Sequence, residues 1–535
     1  MRKKRRALLG LIAVALVFSG CDWTMFGFDA TNTHWTPDTT LNASSIPSLV
    51  PAFYANTGGG VSGSPVVAHG VVYVISQVSK TQAETLESFD ATGNTGCTGT
   101  PKTCVPLWTA SLGTGSGFTS PAVVNGVVYA ASSDDLKAFD AAGNTNCGGT
   151  PKTCAPLWSA SVGPVDNSAP VVANGVVYIG STDDNLYAFD AAGSINCSGT
   201  PTACSPLWRA PTSGPVESSA AVANGEVYIG SNDDNLYAFD AAGSTDCSGS
   251  PRICSPLWTG ATAGPVESAP AVANGTVYVG SDGPNNLHDG DLYAFDAAGS
   301  TNCSGAPTTC SPLWTGEALG GVKDSPAVAG GYVYMTELGH IQSNLDAFDA
   351  AGNTGCSGTP KLCSPVWHSG GASYPASVAV ANGLVYIPTP WGPVVTDEAG
   401  HSLGGIQSSF GYGSSPIVAN GMVYAGGSSG FAAFGALQTQ VVVPQNGATI
   451  SGSTTLDALV SGGGDVTAVD FVVNGGSLSN QVVATATSPS LYGWIAQWDT
   501  TSVPDGSYTL QAQAHAPLPA PMSPPITVTV SNGSS

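Results

Sequence analysis

The sequence predicts an all-β protein in which four-stranded antiparallel blades form a closed ring, followed by a small β-sandwich. Three observations lead to this prediction. A unit of about 50 residues recurs along the chain, each unit opens with a hairpin signal, and outside the N-terminus no long segment has apolar residues at helical spacing. Charged residues make up only 9% of the 535 residues and Gly is abundant at 69, which suits short strands and tight turns.

The first 20 residues have the features of an export signal. Five basic residues at positions 2–6 precede an apolar run at 7–18, which is too short to span a membrane comfortably. Ser19 and Gly20 then precede Cys21, and this resembles a lipobox, in which the cysteine is acylated after cleavage. We therefore predict a lipoprotein-type signal peptide over 1–20 and lipid attachment at Cys21. The alternatives are an ordinary secreted protein and a retained N-terminal membrane anchor.

The charge of the mature chain limits its partners. Five of the 13 Lys and Arg residues lie in the signal peptide, which leaves 8 against 36 Asp and Glu, a net charge near −28. Such acidity argues against nucleic acid and against anionic lipid as electrostatic partners. We expect membrane contact only through the N-terminal lipid.

Cysteine spacing places the chain outside the cytosol. Apart from Cys21, the cysteines form six pairs of identical spacing: Cys97 and Cys104, Cys147 and Cys154, Cys197 and Cys204, Cys247 and Cys254, Cys303 and Cys310, Cys356 and Cys363. Regular, even-numbered cysteines in an exported chain predict disulfides, whereas zinc sites favour tighter pairs, two to a site. Each bond would close a short loop and stabilise the fold by roughly 2–3 kcal/mol.

The recurring unit resolves into four strands, as residues 168–208 illustrate. Asn174-Gly175 is typical of a type I′ turn, since both central residues need positive φ, and strand-forming Val, Ile and Tyr flank it. Asp183, Asp184 and Asn185 provide a second turn, which we interpret as no more than a turn. The Cys pair occupies the third connection, and Trp208 begins an outer strand. Four antiparallel strands per period predict the blade of a β-propeller.

Eight first-hairpin signals give an eight-bladed β-propeller over residues 48–437, preceded by a lead-in segment at 21–47. They are His69-Gly70, Asn125-Gly126, Asn174-Gly175, Asn224-Gly225, Asn274-Gly275, Gly330-Gly331, Asn382-Gly383 and Asn420-Gly421. The last unit lacks an outer strand, and residues 49–54 precede the first hairpin where that strand is expected. We predict that this N-terminal strand completes the eighth blade and removes an exposed edge.

Two units depart from the pattern, and the C-terminal region lacks the repeat. The fifth unit has an insertion at 282–291 whose spacing is not that of an EF-hand loop. The seventh lacks the Cys pair and has a proline-rich turn at 388–393. Several short alternating strands follow at 438–535 and predict an immunoglobulin-like β-sandwich.

A candidate binding site follows from the order of the strands. In a four-stranded blade the second turn and the segment leading into the first strand share one side of the ring, which we name the mouth face. The Asn-Gly turns and Cys loops share the other, the hairpin face. Four consecutive lead-in segments carry a carboxylate: Asp166, Glu217, Glu267 and Asp324. The remaining lead-ins carry none and offer Phe118, Tyr374 or Tyr412.

We hypothesise that this half-acidic, half-aromatic channel mouth binds a cation or a polar ligand. The alternative is duplicated sequence without a binding role. The seven histidines are scattered and predict neither a metal site nor a catalytic triad.

The repeats resemble the PQQ-like (quinoprotein-type) β-propeller family. The resemblance is carried by Ser64 to Tyr73, by Asp184 to Ala191, and by residues 22–33, which are similar to the segment before the first blade in that family. The C-terminal part is similar to bacterial immunoglobulin-like domains through Trp498 to Thr501 and Asp505 to Tyr508.

The resemblance implies either of two functions, and fold alone does not choose between them. Some members oxidise alcohols or sugars with Ca²⁺-bound PQQ, and others bind proteins, as does the propeller lipoprotein of the outer-membrane barrel-assembly machinery. The alcohol-oxidising members have a disulfide between adjacent cysteines beside the cofactor, and this sequence has no adjacent pair. Nor does it have a recognisable set of calcium ligands and catalytic base.

The family's tryptophan-docking motif is interrupted as well, because the Cys loop separates Gly193 from Trp208. This weakens the transfer of the family's detailed blade packing, though not of its fold. We predict no catalytic residue and no metal site, and we assign PQQ and Ca²⁺ only to the alternative function, since no recognisable site supports them. The predicted function is a lipid-anchored, non-catalytic binding or scaffold protein of the cell envelope, with surface proteins or glycans as partners. The alternatives are a PQQ-dependent alcohol or sugar dehydrogenase and a barrel-assembly scaffold.

Overall fold

Eight sheets of the same design account for the repeats within the part of the chain that the structure describes. The computed structural model describes residues 21–99, 102–115, 119–283, 290–318, 320–337, 343–372, 376–406, 413–461, 466–490, 493–516 and 522–533. In each of these sheets four antiparallel strands follow one another from the innermost to the outermost position. We number the blades 1 to 8 by their first hairpins.

The strand bounds repeat closely from blade to blade. The innermost strands are Val66–Ala68, Ala122–Val124, Val171–Ala173, Ala221–Ala223, Ala271–Ala273, Ala327–Ala329, Ala379–Ala381 and Ile417–Ala419. The second strands are Val71–Val78, Val127–Ser132, Val176–Ser181, Glu226–Ser231, Thr276–Ser281, Tyr332–Glu337, Leu384–Ile387 and Met422–Gly427. The third strands are Ala83–Asp90, Asp135–Asp140, Asn185–Asp190, Asn235–Asp240, Asp291–Asp296, Ser343–Asp349, Val394–Asp397 and Gly430–Ala436. The outer strands are Trp108–Thr114, Trp158–Ser161, Trp208–Pro211, Trp258–Ala261, Trp314–Glu317, Trp367–Ala372, Ser402–Gly405 and Leu49–Ala55.

Local turn chemistry accounts for the first hairpin of every blade. Both central residues have positive φ in all eight turns, as at Asn174 (51°) and Gly175 (79°). These are the angles of the type I′ turn, whose twist matches that of the flanking strands. Asp184 and Asp234 also have positive φ, at 66° and 67°, so the Asp-Asp-Asn segments are turns, as predicted.

The N-terminal strand closes the ring. Leu49–Ala55 pairs antiparallel with Gly430–Ala436, from Leu49 opposite Ala436 to Ala55 opposite Phe431. Phe53 is fully buried there against Phe431, with ring centroids 6.0 Å apart. The predicted completion of the last blade is therefore confirmed.

Neighbouring blades dock through tryptophan despite the interrupted motif. In blade 2, Trp158 Nε1 donates to Ala191 O of blade 3 at 3.3 Å, and Tyr129 donates to the same carbonyl at 2.9 Å. Gly193 packs so closely on Trp158 that a Cβ atom would lie 2.1 Å from Cδ1. This contact forms despite the Cys loop, because folding brings the tryptophan to the glycine of the next blade rather than of its own.

The six disulfides form as predicted, and their hairpins reach across to a neighbouring blade. Each Cys pair joins two short strands, such as Cys197–Ser198 and Ala203–Cys204 in blade 3. The second of these strands pairs in parallel with the outer strand of the preceding blade, at Ser159 opposite Ala203. The other hairpins are Cys97–Thr98 with Thr103–Cys104, Cys147–Gly148 with Thr153–Cys154, Cys247–Ser248 with Ile253–Cys254, Cys303–Ser304 with Thr309–Cys310, and Cys356–Ser357 with Leu362–Cys363.

The N-terminal lead-in segment, residues 21–47, lies inside the ring. Its backbone carbonyls accept hydrogen bonds from the middle residue of the innermost strand in six blades. The pairs are Trp23 with Val67, Thr24 with Val123, Ala30 with Val222, Thr31 with Val272, Thr33 with Val328, and His34 with Val380. Trp35–Thr36 continues as a short strand parallel to Ala379–Ala381, and Ile46–Ser48 forms a 3₁₀ turn before the closing strand. These bonds satisfy amides that would otherwise face the channel.

The C-terminal domain is a sandwich of two sheets. One contains Gln438–Val443, Ser453–Ser461 and Trp494–Asp499, and the other Ala448–Ile450, Ile526–Val530, Gly506–His515, Ala468–Gly475 and Leu478–Ala486. Trp498 and Tyr508 are buried edge to face in its core, and Tyr508 donates to Pro504 O at 2.8 Å. A 3₁₀ turn at Thr500–Ser502 directly follows the strand Trp494–Asp499. Within the described ranges, no helix is long and apolar enough to cross a membrane.

Candidate functional site

The mouth face brings three of the four predicted carboxylates together. In blades 3, 4 and 5 the segment that leads into the innermost strand is held by a buried valine, and Val216 and Val266 are fully buried. Asp166, Glu217 and Glu267 each follow such a valine, so they occupy equivalent positions in consecutive blades. The predicted acidic half of the mouth therefore includes these three residues.

Asp166, Glu217 and Glu267 form an acidic arc on the mouth face, with Glu217 at its centre. Burial raises the pKa of its carboxyl group, and the neighbouring charges of Glu267 and Asp166 raise it further. Asn232 Nδ2 donates to Glu217 Oε1 at 3.0 Å and Asn167 Nδ2 to Oε2 at 3.3 Å, and these bonds oppose the rise. Its two oxygens thus already have protein donors.

Lys323 supplies a cation to the same arc. Its Nζ lies 3.0 Å from Glu267 Oε1 and 3.1 Å from Asp282 Oδ2. These hydrogen bonds and charges outweigh desolvation and raise the pKa of the lysine. Sequence reasoning missed this residue, although Lys323 follows Val322 where the other blades have a carboxylate.

Asp324 does not share the surroundings of the other three carboxylates, so its assignment to the mouth needs correction. It stands one position further along, where blades 4 and 5 have Ser218 and Ser268. The side chain is buried and accepts a hydrogen bond from Thr336. Burial raises its pKa to about 7, against the opposing hydrogen bonds from Thr336 and Ala376. The sequence prediction aligned the blades by their nearest carboxylates. Alignment by the buried valines shows that Asp324 lies one position beyond the equivalent of Glu217 and Glu267.

The proline-rich turn of blade 7 presents an exposed tryptophan. Trp391 is 77% exposed on the turn between Leu384–Ile387 and Val394–Asp397, on the mouth face. Thr389 Oγ1 donates to Gly392 O at 2.5 Å and accepts from the Trp391 amide at 3.3 Å, which fixes the turn. The sequence flagged this turn as a deviation, but nothing singled out its tryptophan. A large aromatic side chain on a rigid turn is typical of a binding anchor.

The N-terminal lead-in segment, residues 21–47, occupies the end of the channel that opens on the hairpin face. Asp22 accepts hydrogen bonds from the His69 amide at 2.9 Å and Asn420 Nδ2 at 3.2 Å, and the Gly421 amide donates to Asp38 at 2.8 Å. These three donors belong to Asn-Gly-type turns of blades 1 and 8. The chain itself therefore narrows the channel at the hairpin face, and the acidic arc lies towards the opposite opening.

Four other sequence predictions concern residues elsewhere. Cys21, the predicted lipid site, is partly exposed and is the one free cysteine among the described residues. Burial and the charges of Asp38 and Asp22 raise its thiol pKa. The predicted aromatic half of the mouth, Phe118, Tyr374 and Tyr412, lies outside the described residues, as do the signal peptide and positions 284–289 of the fifth-blade insertion.

The described residues do not fit a calcium–quinone centre. All twelve paired cysteines are used in the hairpins rather than beside the channel mouth. Within the described part of the chain, no group of three or more His, Cys, Asp or Glu side chains could hold a metal ion. Glu217 and Glu267 already bond to Asn167, Asn232 and Lys323.

Comparisons with known proteins agree with both domains. The family model described as "Outer membrane protein assembly factor BamB" matches residues 52–241, and the model described as "Bacterial Ig domain" matches 438–512. No curated protein matches the chain.

Solved structures share the fold at low sequence identity. The chain is similar to a quinohemoprotein alcohol dehydrogenase from Comamonas testosteroni, with 13% identity and a TM-score of 0.54 over 81% of this chain and 83% of that one. It is also similar to a europium-containing methanol dehydrogenase, with 13% identity and a TM-score of 0.52 over 77% and 90%. BamB from Moraxella catarrhalis matches at 12% identity and a TM-score of 0.42 over 72% and 98%. The first two matches support the fold, and identities this low support no particular activity.

Proposed function

We propose that this chain, which belongs to the PQQ-like β-propeller repeat family and carries a C-terminal bacterial immunoglobulin-like domain, is a non-catalytic binding protein of the cell envelope. In this proposal the propeller is a rigid disc, anchored by lipid at Cys21, whose mouth face binds an envelope protein or a surface glycan. Six disulfides support an oxidising compartment outside the cytosol.

The proposal rests on a contrast between side chains of the mouth face: Trp391 is exposed, whereas Glu217 and Glu267 already have hydrogen-bond partners within the protein. Trp391 is held out from the mouth face by its own turn. Glu217 and Glu267, in contrast, are bonded to neighbouring side chains. An aromatic side chain on a turn that is already held by hydrogen bonds requires little ordering of the backbone on binding, so it favours recognition of a partner.

A barrel-assembly scaffold is the second candidate. The match to the BamB family model over residues 52–241 favours it, and such a role would also use a rigid disc without a catalytic centre. It needs an outer membrane and a partner from the assembly machinery.

Affinity capture from the native envelope tests the proposal. The wild-type chain and Trp391→Ala are immobilised in parallel, with Val78→Ala as the matched control, since Val78 is likewise a large apolar residue exposed beside a mouth-face turn. We expect a protein or glycan that is retained by the wild type and by Val78→Ala and lost with Trp391→Ala. Equal capture by all three variants would contradict a mouth-face binding role, and recovery of a barrel-assembly protein would favour the second candidate.

A further inference from the structure

The position at which the chain leaves the propeller determines which face an anchored disc turns towards the membrane. Cys21 stands directly before Asp22, whose carboxylate is bonded to the first-hairpin turns of blades 1 and 8. Trp23 follows, almost fully buried, and its carbonyl accepts from the Val67 amide at 2.7 Å. No linker therefore separates Cys21 from the ring. Whatever is attached there, an acyl chain or the apolar run at 7–18, starts at the hairpin face.

Among the described residues of the propeller, five of the eight exposed large apolar side chains belong to the hairpin face. They lie on the Cys loops and the connections around them: Val105, Ile195, Ile253, Leu362 and Val366, with Val105 and Ile195 both 56% exposed. These positions belong to blades 1, 3, 4 and 6. They are separate side chains rather than one continuous patch, so they permit contact with a membrane without requiring it.

Half of the basic residues after position 20 lie on the Cys hairpins. Of these 8 Lys and Arg residues, Lys102, Lys152, Arg252 and Lys361 occupy the same place in four hairpins. Arg252 Nη1 donates to Gly243 O at 2.7 Å, and Lys361 Nζ donates to Gly352 O at 2.8 Å. A groove of about 860 Å³ between the hairpins of blades 3 and 4 is lined by Leu207, Pro251 and Arg252. Apolar residues beside basic ones suit the boundary between lipid headgroups and acyl chains.

Carboxylates lie on both faces. The mouth face has Asp183, Asp184, Asp233 and Asp234 on its turns and the acidic arc on its lead-ins, and on the hairpin face the third strands end at Asp90, Asp140, Asp190, Asp240, Asp296 and Asp349. The overall negative charge makes anionic headgroups a poor electrostatic match, so contact through the hairpin face depends on the anchor and the apolar side chains.

We infer that, in the anchored protein, the hairpin face lies against the phospholipid bilayer and the mouth face, with Trp391, points away from it. This inference rests on the proposed anchoring at Cys21. It adds contact between the hairpin face and the bilayer to the contact through the lipid that the sequence predicts, and it leaves the mouth face free for an envelope partner.

Photo-crosslinking in native membranes tests the orientation. Full-length chains carry p-benzoylphenylalanine in place of Ile195 or Ile253 on the hairpin face, or in place of Val78 or Trp391 on the mouth face. We expect phospholipid adducts at positions 195 and 253, at least tenfold more abundant than at 78 and 391. Adducts at the mouth-face positions, or equal labelling at all four, would contradict the inference, as would an absence of adducts from anchored protein.

The state of the anchor is measured on the same samples. The mass of the N-terminal peptide shows whether it begins at an acylated Cys21, and fractionation shows whether the protein stays with the membrane. An unmodified chain in the soluble fraction would refute the proposed anchoring. An acylated chain that crosslinks from its mouth face would refute only the orientation. Unchanged unfolding temperatures of the substituted proteins verify that the propeller remains folded.

Discussion

Gly243 of blade 4 packs directly on Trp208 of blade 3, so that a Cβ on the glycine would lie 2.0 Å from Cδ1 of the indole. Trp208 in turn packs on Tyr178, with ring centroids 5.9 Å apart, and Tyr178 donates to Ala241 O of blade 4 at 2.8 Å. One glycine, one tryptophan and one tyrosine thus join two blades, and the same arrangement recurs around the ring.

Replacing Gly243 with Ala tests this docking contact. Gly243 has φ of 62° and Gly225 has φ of 86°, but only Gly243 has a close neighbour. Gly225→Ala therefore measures the backbone cost of the left-handed conformation, about 1–2 kcal/mol. Gly243→Ala should lose roughly 1–3 kcal/mol more, because its methyl group overlaps the indole. Urea unfolding of both variants measures the difference, and equal losses would show that the docking contact contributes nothing.

Removing one disulfide should loosen one junction between blades and leave the next intact. In Cys247→Ser/Cys254→Ser we expect roughly 2–3 kcal/mol of lost stability and faster hydrogen exchange at the Arg209 amide, which donates to Arg252 O at 3.1 Å. The Ser159 amide, which donates to Thr202 O of the intact neighbouring hairpin at 3.0 Å, provides the control in the same spectrum. Faster exchange at both amides, or at neither, would contradict the prediction that each disulfide stabilises a single junction between blades.

Asp324 should make the propeller less stable as the pH rises. Its pKa in the folded protein is about 7 because the carboxyl group is buried, against about 3.9 in an unfolded chain. The folded state therefore binds more protons between pH 4 and 7, and stability falls across that window. Asp324→Asn should gain up to about 4 kcal/mol at pH 8 and little at pH 4.

Thermal unfolding at both pH values measures this gain, with Asp246→Asn on an exposed hairpin as the matched change of charge. A gain from Asp324→Asn that is the same at pH 4 and pH 8 would refute the assignment.

His34 should have the opposite pH dependence. It is buried in the lead-in segment beside Phe26 and Trp23, at centroid distances of 5.0 and 6.4 Å, and burial lowers its pKa to about 3. The unfolded state then binds more protons between pH 6.5 and 3, so stability falls as the pH decreases through that range. His34→Phe keeps an aromatic ring and should reduce the loss on acidification by a few kcal/mol. An unchanged slope of stability against pH in this variant would contradict the buried position.

Local patterns predicted the blades well, because their determinants are close together in sequence. Asn174-Gly175 specifies its own turn, and the absence of an outer strand after Phe434 predicted the closing strand at Leu49–Ala55. The sandwich was likewise predicted from alternating strands, and the structure has both of its sheets.

Contacts that depend on closure of the ring could not be predicted. The bond between Ala30 and Val222, or the pairing of Ser159 with Ala203, exists only once distant segments meet around the channel. The same holds for Lys323, whose partner Glu267 belongs to the preceding blade's lead-in. Asp324 was misplaced for a simpler reason, a shift of one residue relative to the buried valines.

The most direct test of a non-catalytic propeller is a dye-linked oxidation assay on protein purified from its native envelope, supplied with PQQ and Ca²⁺ and with a panel of alcohols and sugars. The mouth-face residues are bonded to one another and the cysteines are used in hairpins, so we predict no turnover above that of the heat-denatured protein. Sustained, PQQ-dependent reduction of the dye with any alcohol or sugar would contradict the account and favour an oxidoreductase.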